Sequence, residues 1–212
     1  MGRMKVLNGP SIRRMPTYLS WLMMMQEKGE EYASTTQLAE YIELEPINVR
    51  KDIALTGVTG TVGVGYRIVE LIAGIRRYLG WDVVRPACLV GVGSLGSALL
   101  GHQEFQDFGL QFTCVFDADE RKIGTYVHGH EVLPMTAMSE AVKELMPEVA
   151  LICVPAEGAQ AVVDDLVACG VKSFWSFANI CLKVPDGVFV QREVITGGYA
   201  MLSVKLEQMK GK

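Results

Sequence analysis

Apolar residues recur at helical spacing through the first 80 residues of the chain. They predict a first helix over residues 17–28, which takes Pro16 as its first-turn proline and buries a methionine-rich face. Two shorter helices come next, one capped by the hydroxyls of residues 34–36 and one that begins at Pro46. Two short helices joined by about three residues, with a longer helix before them, outline a helix-turn-helix.

The segment that follows, residues 56–66, alternates glycine with threonine and valine. This alternation is typical of a tight two-stranded hairpin, which after a helix-turn-helix would be the wing of a winged helix. Residues 67–79 predict another amphipathic helix. Such a domain would bind DNA through exposed basic and amide side chains, here Arg13, Arg14, Asn48, Arg50 and Lys51. The alternative is a small helical module whose surface charges bind nothing.

A second pattern begins at residues 86–90, an apolar strand that runs into a G-x-G-x-x-G motif and then a helix. These glycines allow a tight turn, close approach of the backbone to a pyrophosphate, and close packing of helix on strand. The next apolar run ends at Asp117, whose carboxylate suits the two ribose hydroxyls of NAD(H) and would repel the 2′-phosphate of NADP(H). The predicted loop residues are Gly91, Val92, Gly93, Ser94, Leu95 and Gly96.

Helices and strands continue to alternate, with helices predicted at 136–146 and 157–168 and strands at 149–154 and 171–177. This order predicts an α/β fold with a Rossmann-like, doubly wound parallel sheet. Ligands of such sheets bind beyond the carboxyl ends of the strands. We therefore expect Pro155 and Ala178 to border the cofactor, with Ser176 facing the same crevice.

The last predicted helix, residues 200–209, has an apolar face that no other predicted element covers. A second copy of the chain is its natural cover, so we expect a homodimer. The chain then divides into a winged helix-turn-helix domain (1–80), a Rossmann-like NAD(H)-binding domain (81–196) and a C-terminal helix (197–212).

Charge at first argues against a DNA partner, because the 212 residues carry a formal net charge of −4. Residues 1–80, however, hold ten Lys and Arg against eight Asp and Glu, whereas the rest hold ten against sixteen. The acidic excess therefore belongs to the cofactor-binding part. With 50% hydrophobic residues, the chain also has enough apolar surface for a core, which argues against disorder.

Five cysteines, none in a CxxC pair, lie mostly in apolar runs where cysteine packs as a small hydrophobe. They indicate neither a disulfide framework nor a zinc site, and they fit a reducing cytoplasm. There is no apolar run of about 18 residues and no signal-peptide core near the first residues. We expect a cytoplasmic protein with no metal and no membrane partner.

An NAD-binding fold also suggests a dehydrogenase, which would need a positioned general acid or base. His102, at the end of the glycine-motif helix, is the one candidate, since His128 and His130 flank Gly129 in a predicted exposed turn. No separate catalytic domain follows the sheet. We therefore expect a protein that is not an enzyme, with a small NAD-dependent oxidoreductase as the least favoured alternative.

The order of these motifs resembles the Rex family of redox-sensing transcriptional repressors along nearly the whole chain. The matching motifs are RRMPTYL, NVRKDIALTG, GTVGVGY, LVGVGSLGSALL, FDADERKIG, VPAEGAQ and SFAN. The resemblance implies a homodimer that binds operator DNA through winged helices, binds NAD(H) and exchanges its C-terminal helix between subunits. It also implies that NADH releases the DNA whereas NAD+ is compatible with binding. Arg50 and Lys51 match the recognition helix, residues 91–96 the pyrophosphate loop and Asp117 the ribose-binding acid.

Several positions depart from the family pattern. Leu55 and Thr56 stand where the recognition helix usually continues into Ser-Tyr-Phe-Gly, and Val62 stands where the wing usually carries a basic residue suited to a minor groove. The groups that couple cofactor state to domain position in some members appear as Ser20, His102 and either Glu193 or Val194. The second interpretation is therefore a nucleotide-sensing dimer with altered or lost DNA binding that acts through protein contacts.

Overall fold

The structure, a computed structural model, describes residues 8–210. The first seven residues of the expected 1–80 domain and the last two of the expected 197–212 helix lie outside the described residues. The chain forms two compact units, of which one ends at Val84 and the other begins at Arg85. The expected boundary at Gly80 falls four residues earlier.

The amino-terminal unit combines helices with a small antiparallel sheet. Its elements are α1 (Gly9–Glu27), β1 (Tyr32–Ala33), α2 (Thr35–Tyr41), α3 (Pro46–Ala54), β2 (Tyr66–Arg67) and α4 (Ile68–Leu79). Ser34 caps α2 as expected. Its hydroxyl accepts a hydrogen bond from the Gln37 main-chain N–H, and the Gln37 side chain accepts one from the Ser34 main-chain N–H. The buried core joins α1, α2, α3 and α4 through Met15, Tyr18, Leu19, Leu22, Leu38, Val49, Ile53, Ile68, Leu71 and Ile75.

The first helix is longer than predicted. It begins at Gly9 and contains Pro16, so the proline of its first turn is Pro10. Met15 is fully buried one turn before Leu19, so the apolar stripe of this helix begins before Pro16. The methionine-rich face, residues 23–25, is only half-buried.

The predicted hairpin over residues 56–66 is only partly present. Its pairing is reduced to one antiparallel bridge between Thr61 and Gly65, and β2 pairs instead with β1. Gly57, Gly63 and Gly65 have positive φ angles, which interrupt a regular ladder. A Cβ at Gly65 would lie 2.5 Å from the carbonyl oxygen of Ala33, so this glycine lets the loop approach the end of β1 closely.

The second unit is built on one sheet, which the described residues form as seven strands in the order β5-β6-β4-β3-β7-β8-β9. The strands are β3 (Arg85–Val90), β4 (Leu110–Asp117), β5 (Tyr126–Val127), β6 (His130–Pro134), β7 (Val149–Ile152), β8 (Ser173–Ser176) and β9 (Phe189–Arg192). All neighbours are parallel except β5 and β6. The chain enters at β3, adds β4 and β6 on one side, and returns to add β7 on the other. The strand order thus reverses between β3 and β7.

Helices cover both faces of this sheet, as a doubly wound fold requires. They are α5 (Ser94–Leu100), α6 (Gln103–Asp107), α7 (Met138–Leu145) and α8 (Ala156–Ala168). The last helix, α9 (Thr196–Lys210), follows β9 and has no buried residue. Val90, Phe116 and Ile152 point into the core under α7 and α8, while Leu89, Val115 and Leu151 point into the core under α5. The fold class predicted from the sequence is confirmed.

Three features of this unit differ from the prediction. The segment with His128 and His130 is a hairpin whose second strand, β6, joins the parallel sheet, and β9 adds an edge strand beyond β8. Neither strand has the run of buried apolar residues that predicts a strand from sequence, since only Val132 of β6 is fully buried and β9 is mostly exposed. Cys181 lies on the surface, unlike the buried Cys88 and Cys114.

Candidate functional site

The glycine motif forms the turn between β3 and α5. Gly91 has φ +98°, and a Cβ there would lie 2.8 Å from the carbonyl carbon of Cys153 on the neighbouring segment. A Cβ at Gly96 would overlap the carbonyl oxygen of Gly91, so this glycine permits helix and turn to pack closely. The protein's own packing therefore requires glycine at both positions, as the motif predicts.

Gly93 differs from these two glycines. It has an ordinary φ of −78°, it is exposed, and an added Cβ would meet nothing within 4 Å. The space over Gly93 borders the first turn of α5, where Ser94 and Leu95 present main-chain amides that helix geometry leaves without intrahelical partners. This open, donor-lined space fits a pyrophosphate.

Asp117 ends β4 beside this turn and is 8% exposed. Its Oδ2 accepts the Val92 N–H at 2.7 Å and the Lys122 Nζ at 3.0 Å, and its Oδ1 accepts the Asp119 N–H at 2.8 Å. Burial by itself would raise the pKa of Asp117, but these donors together hold it below its ordinary value. The carboxylate is therefore ionised at neutral pH and is fixed by three donors.

Lys122 was missed by the sequence argument, although a lysine five residues after the terminal acid of the strand was a usable signal. It is the one side-chain cation in contact with Asp117 within residues 8–210. The neighbouring Arg121 pairs instead with Asp119, and this exposed pair lowers the pKa of Asp119 to about 2. The acid at the strand end therefore has a counter-charge of its own.

The other predicted cofactor residues lie at the carboxyl ends of β7 and β8. Pro155 is exposed at the start of α8, whereas the side chain of Ala178 packs in the core under that helix, leaving its main chain to meet a ligand. The prediction for Ser176 is wrong. It is fully buried on the side of β8 that carries Phe174 and Ala178, so it faces that core.

The second helix of the helix-turn-helix, α3, presents one polar face. Asn48, Arg50 and Lys51 are exposed on it, while Val49 and Ile53 are buried. The predicted side chains are therefore placed where a nucleic acid could reach them. Arg13 is also exposed, on α1.

Arg14 is placed differently from Arg13. Its Nε donates to Asp52 Oδ2 at 2.7 Å and its Nη2 to Asp52 Oδ1 at 2.9 Å, while the Tyr18 hydroxyl donates to Oδ2 at 2.6 Å. Asp52 is 1% exposed and lies on the buried side of α3, between Val49 and Ile53. A charged residue at a position where the helical pattern predicts burial was the sequence signal for this network. The predicted DNA contact of Arg14 stays a prediction.

The residues that depart from the family pattern in the amino-terminal unit differ in solvent exposure. Val62 is 100% exposed at the tip of the glycine-rich loop, whereas Leu55 and Thr56 are half-buried at the end of α3. The Thr56 hydroxyl donates to the Ile53 carbonyl at 2.7 Å, so it serves the end of the helix. The exposed tip of the loop is thus apolar and uncharged.

The three positions predicted for coupling are all at the surface. The Ser20 hydroxyl donates to the Pro16 carbonyl at 3.2 Å, His102 Nε2 lies 3.3 Å from Glu104 Oε2, and Val194 is 43% exposed. Glu193 is half-buried and accepts a hydrogen bond from the Gln191 amide at 2.9 Å. Coupling through these residues stays a prediction.

Cavities, metal-ligand clusters and membrane-spanning helices are the other features that could mark a site away from the glycine turn. A cavity of 740 Å³ opens at the amino ends of β3, β7 and β8, the edge of the sheet opposite the glycine turn. Within residues 8–210 no three His, Cys, Asp or Glu side chains come together as metal ligands. No helix in the described part of the chain is both long and apolar enough to cross a lipid bilayer.

Two family models match the chain. Residues 9–54 match "Putative DNA-binding protein N-terminus", and residues 85–180 match "CoA binding domain". Each match falls within one of the two units.

Curated relatives match almost the full length. The chain is 43% identical to the redox-sensing transcriptional repressor Rex of Treponema denticola over 99% of this chain and 100% of that protein. The Rex proteins of Desulforamulus reducens and Bacteroides fragilis are 39% and 34% identical, over 96% and 94% of this chain and 95% and 90% of their own lengths.

Solved structures share the fold. The repressor RSP in complex with NAD+ and operator DNA matches with a TM-score of 0.88 and 26% identity, over 98% of this chain and 95% of that one. RSP in complex with NADH matches with a TM-score of 0.86 and 25% identity, over 98% and 97%.

Proposed function

This chain belongs to the Rex family of redox-sensing transcriptional repressors, and we propose that it binds operator DNA as a homodimer and leaves it when NADH replaces NAD+. The observation that carries the proposal is the union, in one chain, of two sites. One is the exposed polar face of α3, and the other is the glycine turn tied to Asp117. A protein with both can make DNA binding depend on a dinucleotide.

Asp117, Gly93 and the first turn of α5 would hold NAD(H). The nicotinamide supplies the redox signal, because its oxidised ring carries a positive charge that its reduced ring lacks. The amides of the first turn of α5 would face the pyrophosphate. The Asp117 carboxylate, already fixed by Val92 and Lys122, would accept hydrogen bonds from the ribose hydroxyls. Pro155 and Ala178, after the carboxyl ends of β7 and β8, would border the cofactor.

Asn48, Arg50 and Lys51 would contact DNA from α3. Asparagine suits adenine, arginine suits guanine, and lysine suits either guanine or phosphate. Arg13 would add a phosphate contact from α1. The relative RSP forms a complex that holds both NAD+ and operator DNA, which supports the direction of the response.

The homodimer would be held by α9. No residue of this helix is buried within the described part of the chain, and Met201, Leu202, Val204 and Leu206 are each about half exposed or more. An apolar helix of this kind gains stability by burial against a partner. We propose that the partner is the second subunit, with the helix exchanged between subunits.

A gel-shift titration tests the proposal. The probe is the DNA upstream of the protein's own operon, at one stated salt concentration, because phosphate contacts make affinity salt-dependent. Binding with NAD+ and release with NADH is the expected result. Absence of binding at low salt with either nucleotide overturns the proposal.

The second candidate is a nucleotide-sensing dimer that acts through protein contacts. It is favoured by the uncharged tip of the glycine-rich loop, where Val62 and Val64 are 100% and 50% exposed. Tight NADH binding without salt-dependent DNA affinity would select it.

We further propose that the protein works in the cytoplasm and is not an enzyme. The sole candidate acid, His102, is exposed beside Glu104. NADH turnover that disappears in His102→Ala would refute this and favour an oxidoreductase.

A further inference from the structure

We propose that Asp52 is a positioning residue for DNA recognition: through Arg14 and Tyr18 it fixes α3 on α1, and so sets the direction in which Asn48, Arg50 and Lys51 face the DNA. The inference rests on the proposed function.

The network is buried at Asp52 and Tyr18, whereas the Arg14 side chain is 31% exposed. Arg14 donates two hydrogen bonds to the carboxylate of Asp52, with N···O distances of 2.7 and 2.9 Å. The Tyr18 hydroxyl donates a third, with an O···O distance of 2.6 Å. Tyr18 is 0% exposed and Asp52 is 1% exposed. Arg14 and Tyr18 lie one turn apart on α1, so both hold Asp52 from the same side.

Stability alone gives a poor account of this network. A buried ion pair gains little over well-packed apolar residues of the same volume, because desolvation offsets the attraction between the charges. What the pair adds is direction, since a bidentate guanidinium–carboxylate contact fixes the relative orientation of its two helices. The apolar contacts of Val49 and Ile53 on the same helix do not have this directionality.

The network lies close to the DNA-facing side chains. Lys51 directly precedes Asp52, Arg50 lies two residues before it, and Asn48 lies one turn before it on the same nine-residue helix. A small rotation of α3 about its axis would therefore displace all three side chains. Base contacts depend on such placement, whereas phosphate attraction depends mainly on charge.

This difference separates a positioning role from a direct contact. Loss of positioning should weaken binding to operator DNA much more than binding to unrelated DNA. Loss of a phosphate contact should weaken both in proportion and lower the salt slope by about 0.9. Arg13, the exposed neighbour of Arg14 on α1, is the matched control for a phosphate contact.

The experiment measures the affinity of the full-length dimer for the upstream DNA and for a scrambled duplex at several salt concentrations. The variants are Asp52→Asn and Tyr18→Phe, with Arg13→Gln as control. Tyr18→Phe keeps the ring and the ion pair, so it tests the network even if Asp52→Asn fails to fold. We expect the ratio of specific to non-specific affinity to fall roughly tenfold in Asp52→Asn and less in Tyr18→Phe. The salt slope of non-specific binding should not fall in either variant, because neither one removes a positive charge.

A second readout needs no DNA. Amide hydrogen exchange of residues 46–54 should accelerate in Asp52→Asn and Tyr18→Phe, while exchange in β3 and NADH affinity remain those of the wild type. An unchanged affinity ratio together with unchanged exchange overturns the inference. So does a loss in Asp52→Asn that parallels Arg13→Gln on both DNAs. If the wild type binds no DNA, the proposed function fails, and the exchange rates alone decide whether Asp52 holds α3.

Discussion

The main-chain amide of Val92 donates a 2.7 Å hydrogen bond to Oδ2 of Asp117. This bond joins the glycine turn after β3 to the carboxyl end of β4. The turn expected to bind the pyrophosphate and the acid expected to bind the ribose are therefore directly hydrogen-bonded to each other. Because the Val92 amide already donates to Asp117, a bound pyrophosphate would have to meet the amides of the first turn of α5.

Asp117→Ala should weaken NADH binding and relax the exclusion of NADPH. The variant removes the acceptor for the ribose hydroxyls and the charge that repels a 2′-phosphate. A hydrogen bond to a charged group contributes about 1.5–3 kcal/mol, so we expect a loss of roughly 10- to 100-fold in NADH affinity. Calorimetric titration with both nucleotides measures it, with the exposed Glu120→Ala as control. Unchanged affinities for both nucleotides would remove Asp117 from the site.

Gly93→Val should abolish NADH binding and leave the fold intact. The φ of −78° is open to any residue, and the added side chain would occupy the empty space over the turn. Gly96→Ala is the contrasting variant, since its Cβ would overlap the carbonyl of Gly91. Thermal melting should therefore show a lower Tm for Gly96→Ala alone. Retained NADH binding in Gly93→Val contradicts the pyrophosphate assignment.

Val62→Lys should strengthen DNA binding. A lysine at the fully exposed loop tip adds one phosphate contact, which should raise affinity roughly 3- to 10-fold near 0.1 M salt and steepen the salt slope by about 0.9. Val69→Lys, also exposed but on α4, adds the same charge elsewhere on the unit and serves as control. Equal gains from both variants would mean that the loop tip does not reach the DNA.

The double variant Leu202→Glu/Leu206→Glu should convert the dimer to monomer. Both leucines are about half exposed on α9, and burying carboxylates at an interface costs several kcal/mol. Sedimentation velocity gives the mass, and NADH affinity should stay unchanged. Lys205→Glu, an exposed charge change on the same helix, should remain dimeric if the apolar residues form the interface.

The stability of the amino-terminal unit should decline in acid through Asp52. Burial opposes ionisation of this carboxyl group, but donors led by Arg14 hold its pKa below the ordinary value. A carboxylate with a depressed folded pKa stabilises the native state above its unfolded pKa of about 3.9, and that stabilisation is lost as pH falls through the folded value.

Asp52→Asn should lower the free energy of unfolding at pH 7 by about 1.5–3 kcal/mol, because it leaves the Arg14 guanidinium without its carboxylate partner. Replacing the whole pair by apolar residues would cost less, since no charge is then left unpaired. Urea unfolding should show this difference from the wild type shrinking as pH falls below about 4. A constant difference between pH 7 and pH 3 would contradict the assignment of Asp52 as the group responsible.

Motifs that are local in sequence predicted most of the nucleotide-binding fold. The turn at Gly91–Gly96 and the acid at Asp117 were placed correctly, because a strand, its turn and the following helix are contiguous in the chain. Strands β6 and β9 were missed since they are short, with few fully buried residues. Their place in the sheet comes from pairing with distant strands.

The sequence by itself determined which local motifs this protein carries: a glycine turn with an acid at the end of the next strand, and a helix with a polar face after a short turn. Only the tertiary structure decided which charged groups meet. Arg14 and Asp52 are 38 residues apart, and Val92 and Asp117 are 25 apart, yet each pair is within hydrogen-bond distance. Helical and strand periodicity arises from neighbouring residues, whereas such pairs form only when packing brings separate elements together, and that packing made Arg14 a partner of Asp52.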